Sequence, residues 1–139
     1  MDYINVNILE DGKCSIVHNL SGSSIVSGRP KVYGGTGEHF SATDLLAASL
    51  GACIGSSISR FLVRNDLNLD SMNITVRKEL LLKPKKLKSL KVEINLLQSL
   101  DKNLSLRILK IAKTCIVHKS LSKEIEVQII LKTNNAQKH

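Results

Sequence analysis

The stretch of sequence that decides the fold covers residues 41–58 and reads SATDLLAASLGACIGSSI. Ser41 and Asp44 have the spacing of a capping box, in which two residues three positions apart satisfy the free amides at a helix start. We therefore expect a helix that begins here and runs to about Arg64. Its first three turns carry no charge after Asp44, and a helix that is apolar or small on all sides is typically buried. The segment predicts a buried central helix.

Alternating apolar and polar residues on both sides of this helix predict strands. The candidate strands are residues 3–9, 14–18, 24–27, 72–82, 87–97 and 125–130. Asp11-Gly12 and the run Lys83-Pro84-Lys85-Lys86 provide the turns of two hairpins. A helical stripe over residues 101–113 places Cys115 on a buried face near the helix end. The order β-β-β-α-β-β-α-β predicts an α+β fold with mainly antiparallel strands, as a single domain over residues 1–139.

The composition argues against a disordered protein. Hydrophobic residues make up 42% and charged residues 23%, which permits a substantial core. No uninterrupted apolar run reaches the roughly 18 residues of a membrane span, and residues 1–5 lack the layout of a signal peptide. We therefore expect a cytoplasmic protein without a membrane partner.

The formal net charge of +8 makes a basic nucleic-acid-binding module one alternative. Against it, aromatic residues make up only 3%, so the stacking platform of single-strand binders is missing. Lys110 and Lys113 are modestly spaced, and the central helix is apolar, so no recognition helix is visible. The densest lysine run lies at a predicted hairpin tip, where lysine is common for solubility. We do not expect nucleic acid as a partner.

The chain contains Cys14, Cys53 and Cys115. An odd number in a reducing compartment argues against a disulfide framework. Taken alone, a buried cysteine is most often an inert small hydrophobe, and we interpret Cys14, on an N-terminal strand, in that way. Cys53 and Cys115 differ, because each is expected on a buried helix face and each is the other's only plausible partner.

Two blocks, residues 41–58 and CIVHKSL at residues 115–121, resemble the OsmC/Ohr family of osmotically induced and organic hydroperoxide resistance proteins. In that family one helix follows the pattern Pro-acidic-Leu-Leu-x-Ala-x-x-x-x-Cys, and a second ends in Cys-Pro-Val-x-Lys/Arg-x-Leu. The resemblance implies an OsmC-like fold in which two chains intertwine as a homodimer. It also implies that Cys53 attacks the peroxide, that Cys115 resolves the product, and that Arg29 is a third functional residue.

The chemistry implied by this resemblance is thiol-dependent peroxide reduction. The thiolate is the nucleophile, and a nearby guanidinium favours it over the thiol, whose ordinary pKa is about 8.5. Attack on the O–O bond releases an alcohol and leaves a sulfenic acid on Cys53, which Cys115 converts to a disulfide. An external dithiol reopens that bond. No metal or organic cofactor is required, and the apolar residues around Cys53 favour a small organic hydroperoxide as substrate.

The sequence departs from the family pattern at several positions. Peroxidase members carry a glutamate ten residues before the reactive cysteine, where Thr43 stands here, followed by Asp44. Ile116 replaces the proline after the second cysteine. These features resemble a separate OsmC-like branch. We interpret Asp44 as a helix cap and Glu38 as a candidate partner for the arginine.

Two further alternatives follow from the site residues. The missing glutamate leaves open a non-enzymatic homodimer that binds a small apolar ligand in the same cleft. His118 lies in a Cys-x-x-His spacing, and a zinc site would require about four ligands to converge, with Cys53 and His39 added to this pair. We favour a histidine that is satisfied near a helix end, or a base near Cys115, and we expect no metal.

Overall fold

The computed structural model describes residues 2–70 and 72–134. Its elements follow the predicted order, with one 3-10 turn and one short helix added. The strands are β1 (Ile4–Ile8), β2 (Cys14–His18), β3 (Ser24–Ser27), β4 (Met72–Leu82), β5 (Lys85–Leu96) and β6 (Glu126–Thr133). The helices are α1 (Ala42–Arg64), α2 (Lys102–Lys113) and α3 (Ile116–Ser120), and the 3-10 turn covers Lys31–Tyr33. The prediction of an α+β fold is confirmed.

The described chain divides into two compact units, with the boundary between Leu46 and Ala47, inside α1. The N-terminal unit contains β1, β2 and β3. The C-terminal unit contains most of α1 together with β4, β5, β6, α2 and α3. A single domain over residues 1–139 stays a prediction.

The N-terminal unit is an antiparallel sheet with the strand order β1-β2-β3. The turn between β1 and β2 depends on Gly12, whose φ of 80° lies in the left-handed region that favours glycine. Asp11 accepts a hydrogen bond of 3.0 Å from the Lys13 amide in the same turn. The hairpin turn predicted from Asp11-Gly12 is therefore confirmed.

The C-terminal unit contains a sheet with the strand order β4-β5-β6. β4 and β5 form an antiparallel hairpin, whereas β6 pairs with β5 in parallel. Parallel neighbours require a crossover connection rather than a tight turn, and α2 and α3 provide it. The sheet is therefore antiparallel at one side of β5 and parallel at the other, so "mainly antiparallel" describes the strands of the chain correctly.

The core of the C-terminal unit lies between α1 and this sheet. Four alternating residues of β5 and four residues along α1 are at most 1% exposed: Leu90, Val92, Ile94, Leu96, Leu50, Ile54, Ile58 and Leu62. Glycines bring α1 close to β4, because a Cβ on Gly51 would lie 3.0 Å from Cγ2 of Val76. A Cβ on Gly55 would lie 3.3 Å from Cδ1 of Ile74. Small residues on α1 thus set the distance between helix and sheet.

Within one chain, α1 is buried along one face only. Ala48, Ala52 and Ser56 on other sides of the helix are exposed, so burial of the whole central helix stays a prediction. By length and composition alone α1 could also cross a membrane, a test that core helices of soluble proteins pass as well. The sequence expectation missed this because it counted uninterrupted apolar residues, whereas the mean hydropathy of the α1 window is 1.5 despite its Ser and Gly residues.

An acidic residue joins the three strands of the C-terminal sheet on its polar face. The Glu93 carboxylate on β5 lies 3.0 Å from Nη1 of Arg77 on β4 and 3.2 Å from Nζ of Lys132 on β6. Lys91 lies 3.7 Å away on β5 itself. Hydrogen bonds from Lys132 and Arg77 hold the pKa of Glu93 below its ordinary value. The Glu93 carboxylate therefore links β4, β5 and β6 through ion pairs that form only when it is negatively charged.

The first prediction concerns the core. Leu90→Ala should lower the free energy of unfolding by about 2–5 kcal/mol, because it removes buried methyl groups and leaves a cavity. Leu82→Ala is the matched control on the same hairpin, since Leu82 is 71% exposed, and it should change stability by about 0.5 kcal/mol or less. Urea denaturation measures both. Equal losses in the two variants would contradict the core described here.

The second prediction concerns acid stability. A carboxylate whose pKa is lowered by folding stabilises the fold above its unfolded pKa and loses that contribution as the pH falls through the folded value. Glu93→Gln should therefore be less stable than wild type at neutral pH, and the difference should shrink below about pH 4.5, the ordinary value. Glu126→Gln is the control, because Glu126 makes no ion pair within the part of the chain that the structure describes. Thermal melts between pH 3 and 7 test this, and parallel curves would contradict it.

Candidate functional site

Cys53 lies in the middle of α1, between the two glycines that contact β4. It is half-buried and packs against the hydrophobic core. Its neighbour Ile54 is fully buried, whereas Ala52 on the other side is exposed. The helix therefore holds the thiol at the margin of the core, where it is partly exposed within one chain.

Cys115 lies between α2 and α3, not on a helix as the sequence pattern predicted. α2 ends at Lys113, and the hydroxyl of its C-cap residue Thr114 donates to the carbonyls of Lys110 at 3.0 Å and Ile111 at 3.2 Å. Cys115 then has an extended backbone (φ −65°, ψ 149°) and forms the N-cap of α3. It is only 4% exposed, so the prediction that it is buried is confirmed.

The two thiols meet within the C-terminal unit. Cys53 packs against the buried cluster that contains Cys115, and its side chain lies near enough to act on the Cys115 thiol. Burial raises the pKa of the Cys115 thiol, and the neighbouring Cys53 side chain raises it further. The amide of His118, which donates to Sγ of Cys115 at 3.3 Å, acts in the opposite direction without outweighing burial. Cys115 is therefore held as a protonated thiol beside Cys53.

His118 contacts both sides of the break between the helices. Its ring Nδ1 lies 2.8 Å from the carbonyl oxygen of Lys113, the last residue of α2. Its backbone amide contacts Cys115, as described above. Within residues 2–70 and 72–134, no group of three or more His, Cys, Asp or Glu side chains is arranged to hold a metal ion.

The N-terminal unit contains Arg29 in a loop that is closed at its base. The Gly28 amide donates to the Phe40 carbonyl at 2.9 Å, and Ser27 and Phe40 form an isolated bridge. Gly35 packs so closely on the loop that a Cβ there would overlap the Arg29 carbonyl. The Arg29 side chain itself is exposed.

The supporting residues of the N-terminal unit have distinct surroundings. Ser41 and Asp44 form the predicted capping box, in which the Ser41 amide donates to Oδ2 of Asp44 at 2.8 Å and the Asp44 amide donates to Oγ of Ser41 at 3.1 Å. Thr43 joins this cap through a hydroxyl contact of 3.2 Å with Ser41. Glu38 is exposed, and no ion pair joins it to Arg29 in the described residues. Its role as the arginine's partner stays a prediction.

One cavity of the C-terminal unit, of about 330 Å³, contains neither thiol. It is lined by residues of β4, β5 and β6: Arg77, Lys78, Glu79, Lys88, Ser89, Leu90, Lys91, Glu126 and Gln128. This lining is mostly charged or polar, which does not match the apolar cleft expected around Cys53.

The contact between the His118 amide and the Cys115 sulfur was missed in the sequence. The Cys-x-x-His spacing was considered for metal binding, yet three positions is also the spacing between an N-cap side chain and the amide that it accepts from. The sequence analysis did not predict a break after Thr114. Without that break there is no new helix start, and Cys115 cannot act as an N-cap.

Comparisons with known proteins agree with this architecture. The profile of the family described as OsmC-like protein matches residues 35–130. A structure from Psychrobacter arcticus, provisionally described as an osmotic stress induced and detoxification response protein, is 28% identical with a TM-score of 0.89, covering 94% of this chain and 96% of its own. Among curated proteins, no significant match is found.

More distant structures share the fold. The organic hydroperoxide resistance protein OsmC of Legionella pneumophila is 16% identical with a TM-score of 0.76, covering 95% of this chain and 96% of its own. An organic hydroperoxide resistance protein of Elizabethkingia anophelis is 14% identical with a TM-score of 0.75, covering 96% and 98%. With the family profile matching well over half of the sequence, the chain belongs to the OsmC-like protein family.

Proposed function

We propose that this protein is a cysteine-based hydroperoxide reductase that converts an organic hydroperoxide to the alcohol. The observation that carries the proposal is that Cys53 and Cys115 are neighbours at one hydrophobic core, where the Cys53 side chain helps to raise the pKa of the Cys115 thiol. When one of two neighbouring thiols is oxidised, the other can attack it and form a disulfide with little movement of the backbone. Family membership supports the same chemistry, since several relatives are named organic hydroperoxide resistance proteins.

The surroundings of the two thiols support different roles for them. Cys115 is 4% exposed, and its raised pKa keeps it a neutral thiol near neutral pH. Cys53 is half-buried at the edge of the core, which leaves it the more accessible of the two. Since the thiolate is the attacking species, Cys53 is the nucleophile and Cys115 is the resolving thiol.

The proposed cycle has three steps. The Cys53 thiolate attacks one peroxide oxygen, the O–O bond breaks, and the alkoxide leaves as an alcohol after it takes up a proton. The Cys115 sulfur then displaces water from the Cys53 sulfenic acid to form the disulfide. An external dithiol reduces that bond through a mixed disulfide. This requirement for a reductant agrees with the cytoplasm as the compartment in which we place the protein.

Arg29 is the residue that we propose to favour the Cys53 thiolate. A guanidinium stays charged at all physiological pH values and presents several donors to an anion. The closed base of its loop and the tight packing of Gly35 give Arg29 a defined backbone position within the N-terminal unit. Thr43 and Asp44 belong to the helix cap, so their contribution to the reaction is indirect: they fix the start of the helix that carries Cys53.

The third prediction tests the reaction. Purified protein with dithiothreitol should consume cumene hydroperoxide, and Cys53→Ser should abolish this consumption because it removes the nucleophile. Cys115→Ser should still react once and accumulate a sulfenic acid that dimedone traps, without the intramolecular disulfide. Cys14→Ser is the matched control and should keep wild-type activity.

Peroxide that persists with the wild-type protein and dithiol would contradict the proposed reaction. It would favour the alternative of a non-enzymatic dimer that binds a small apolar ligand, an alternative based on Thr43 in place of the family glutamate. Recovery of Cys14 in a disulfide with either other cysteine would contradict the assigned pair.

We also propose that the protein acts as a homodimer, because the N-terminal sheet exposes an apolar face. Ile4, Val6 and Ile8 alternate along β1 and are 56%, 55% and 71% exposed. In the register of the sheet, Val6 lies opposite Ile16, which in turn lies opposite Ile25. An apolar strand pattern of this kind is stable in water only when it is covered, and a second copy of the chain is the partner that we propose.

The fourth prediction tests this dimer. Val6→Lys should shift the protein from dimer to monomer in sedimentation at micromolar concentration, because it places a charge in the proposed interface. Asn7→Lys is the matched control, since Asn7 faces the opposite side of the same strand, and it should leave the dimer intact. A folded wild-type monomer at this concentration would contradict the homodimer.

A further inference from the structure

One residue of α3, His118, forms hydrogen bonds on both sides of the break between α2 and α3. His118 donates its backbone amide to Sγ of Cys115 at 3.3 Å, and its ring lies 2.8 Å from the Lys113 carbonyl. Its own carbonyl accepts from the Leu121 amide at 3.3 Å. His118 is therefore bonded to the last residue of one helix, to the N-cap of the next helix and to the residue that ends that helix.

The ring contact also fixes the protonation of Nδ1. A carbonyl oxygen can only accept a hydrogen bond, so Nδ1 of His118 must carry the proton, whether the ring is neutral or charged. The last carbonyls of a helix have no partner inside that helix. The ring N–H of His118 provides one for Lys113, whereas Thr114 provides the partner for Lys110 and Ile111.

We propose that His118 is a positioning residue for Cys115, which holds the resolving sulfur against Cys53 through its ring bond to Lys113 and its amide bond to Sγ. This inference rests on the proposed function. His118 contacts neither the peroxide nor Cys53 in the scheme, so it acts through Cys115. The bond from the His118 ring to Lys113 fixes the turn at Thr114 and Cys115. The His118 amide then points at the Cys115 sulfur, which becomes negatively charged when the thiol loses its proton.

The step that depends on this arrangement is the closure of the disulfide. The Cys115 thiol loses its proton, its sulfur attacks the sulfur of the Cys53 sulfenic acid, and hydroxide leaves and becomes water. A backbone amide that already points at the attacking sulfur stabilises its thiolate. Without the ring bond to Lys113, the turn that directs this amide is free to rearrange, so closure slows while the first attack by Cys53 is unaffected.

The test compares three variants in a Cys14→Ser background. His118→Leu removes the ring donor, and closure should be about ten-fold slower. His118→Asn retains a side-chain N–H near the position of Nδ1 and should recover most of the rate. Thr114→Ala is the matched control, because Thr114 also caps α2 but its side chain bonds to Lys110 and Ile111 rather than to Cys115. It should lower the melting temperature and leave the closure rate unchanged.

Closure can be measured without peroxide, which separates this inference from the proposed function. Ellman's reagent converts Cys53 to a mixed disulfide and releases one thionitrobenzoate, and attack by Cys115 then releases a second as the Cys53–Cys115 disulfide forms. The rate of the second release reports on Cys115 alone. Cumene hydroperoxide with dimedone trapping measures the same closure after sulfenic acid formation.

Slow second release in His118→Leu, with recovery in His118→Asn, supports the inference even when the wild type consumes no peroxide. In that case only the proposed reductase function fails. Wild-type closure in His118→Leu overturns the inference, and so does a closure rate in His118→Asn as low as in His118→Leu. Equal slowing in Thr114→Ala also overturns it, because the effect would then come from helix capping in general.

Discussion

The close packing of α1 on β4 is the constraint on which the rest of the C-terminal unit depends. Gly51 and Gly55 let the helix approach Val76 and Ile74, and Cys53 lies between these two glycines. A larger residue at either position would move the helix away from the sheet, and the thiol would move with it. The same contact that closes the core therefore also sets the position of the Cys53 sulfur, so a substitution that loosens this packing also moves the thiol.

The sequence predicted those features that depend on local patterns. The Ser41–Asp44 cap, the Asp11-Gly12 turn and the alternation along β5 are each determined by neighbouring residues, and the structure contains all of them. The parallel pairing of β6 was not predicted, because strand direction depends on the path of the whole connection. The uneven burial of α1 was not predicted either. A helix that is apolar on all sides gives no indication of which face packs against the rest of its own chain.

The candidate site shows the same division. Cys53 was placed correctly on α1 because its helix has a strong start signal. Cys115 was assigned to the preceding helix, whereas that helix ends at Lys113 and Cys115 is the N-cap of a new one. The break matters chemically. Amides inside α2 donate to carbonyls of the same helix, whereas the side chain of an N-cap residue accepts a hydrogen bond from a free amide in the first turn. Arg29 was identified through the family resemblance alone.

The parallel pairing of β6 with β5 has a consequence for the newly made chain. The β4–β5 hairpin involves neighbours in sequence and can form as soon as both strands have left the ribosome. Cys115 and His118 lie in the crossover, whose far end is fixed only when β6 joins the sheet. Until β6 joins the sheet, Cys115 is not held beside Cys53, and under the proposed mechanism an oxidant that reaches the nascent chain meets Cys53 without its resolving thiol. Under the same mechanism, completion of the sheet is also the step that gives Cys53 its protection from overoxidation.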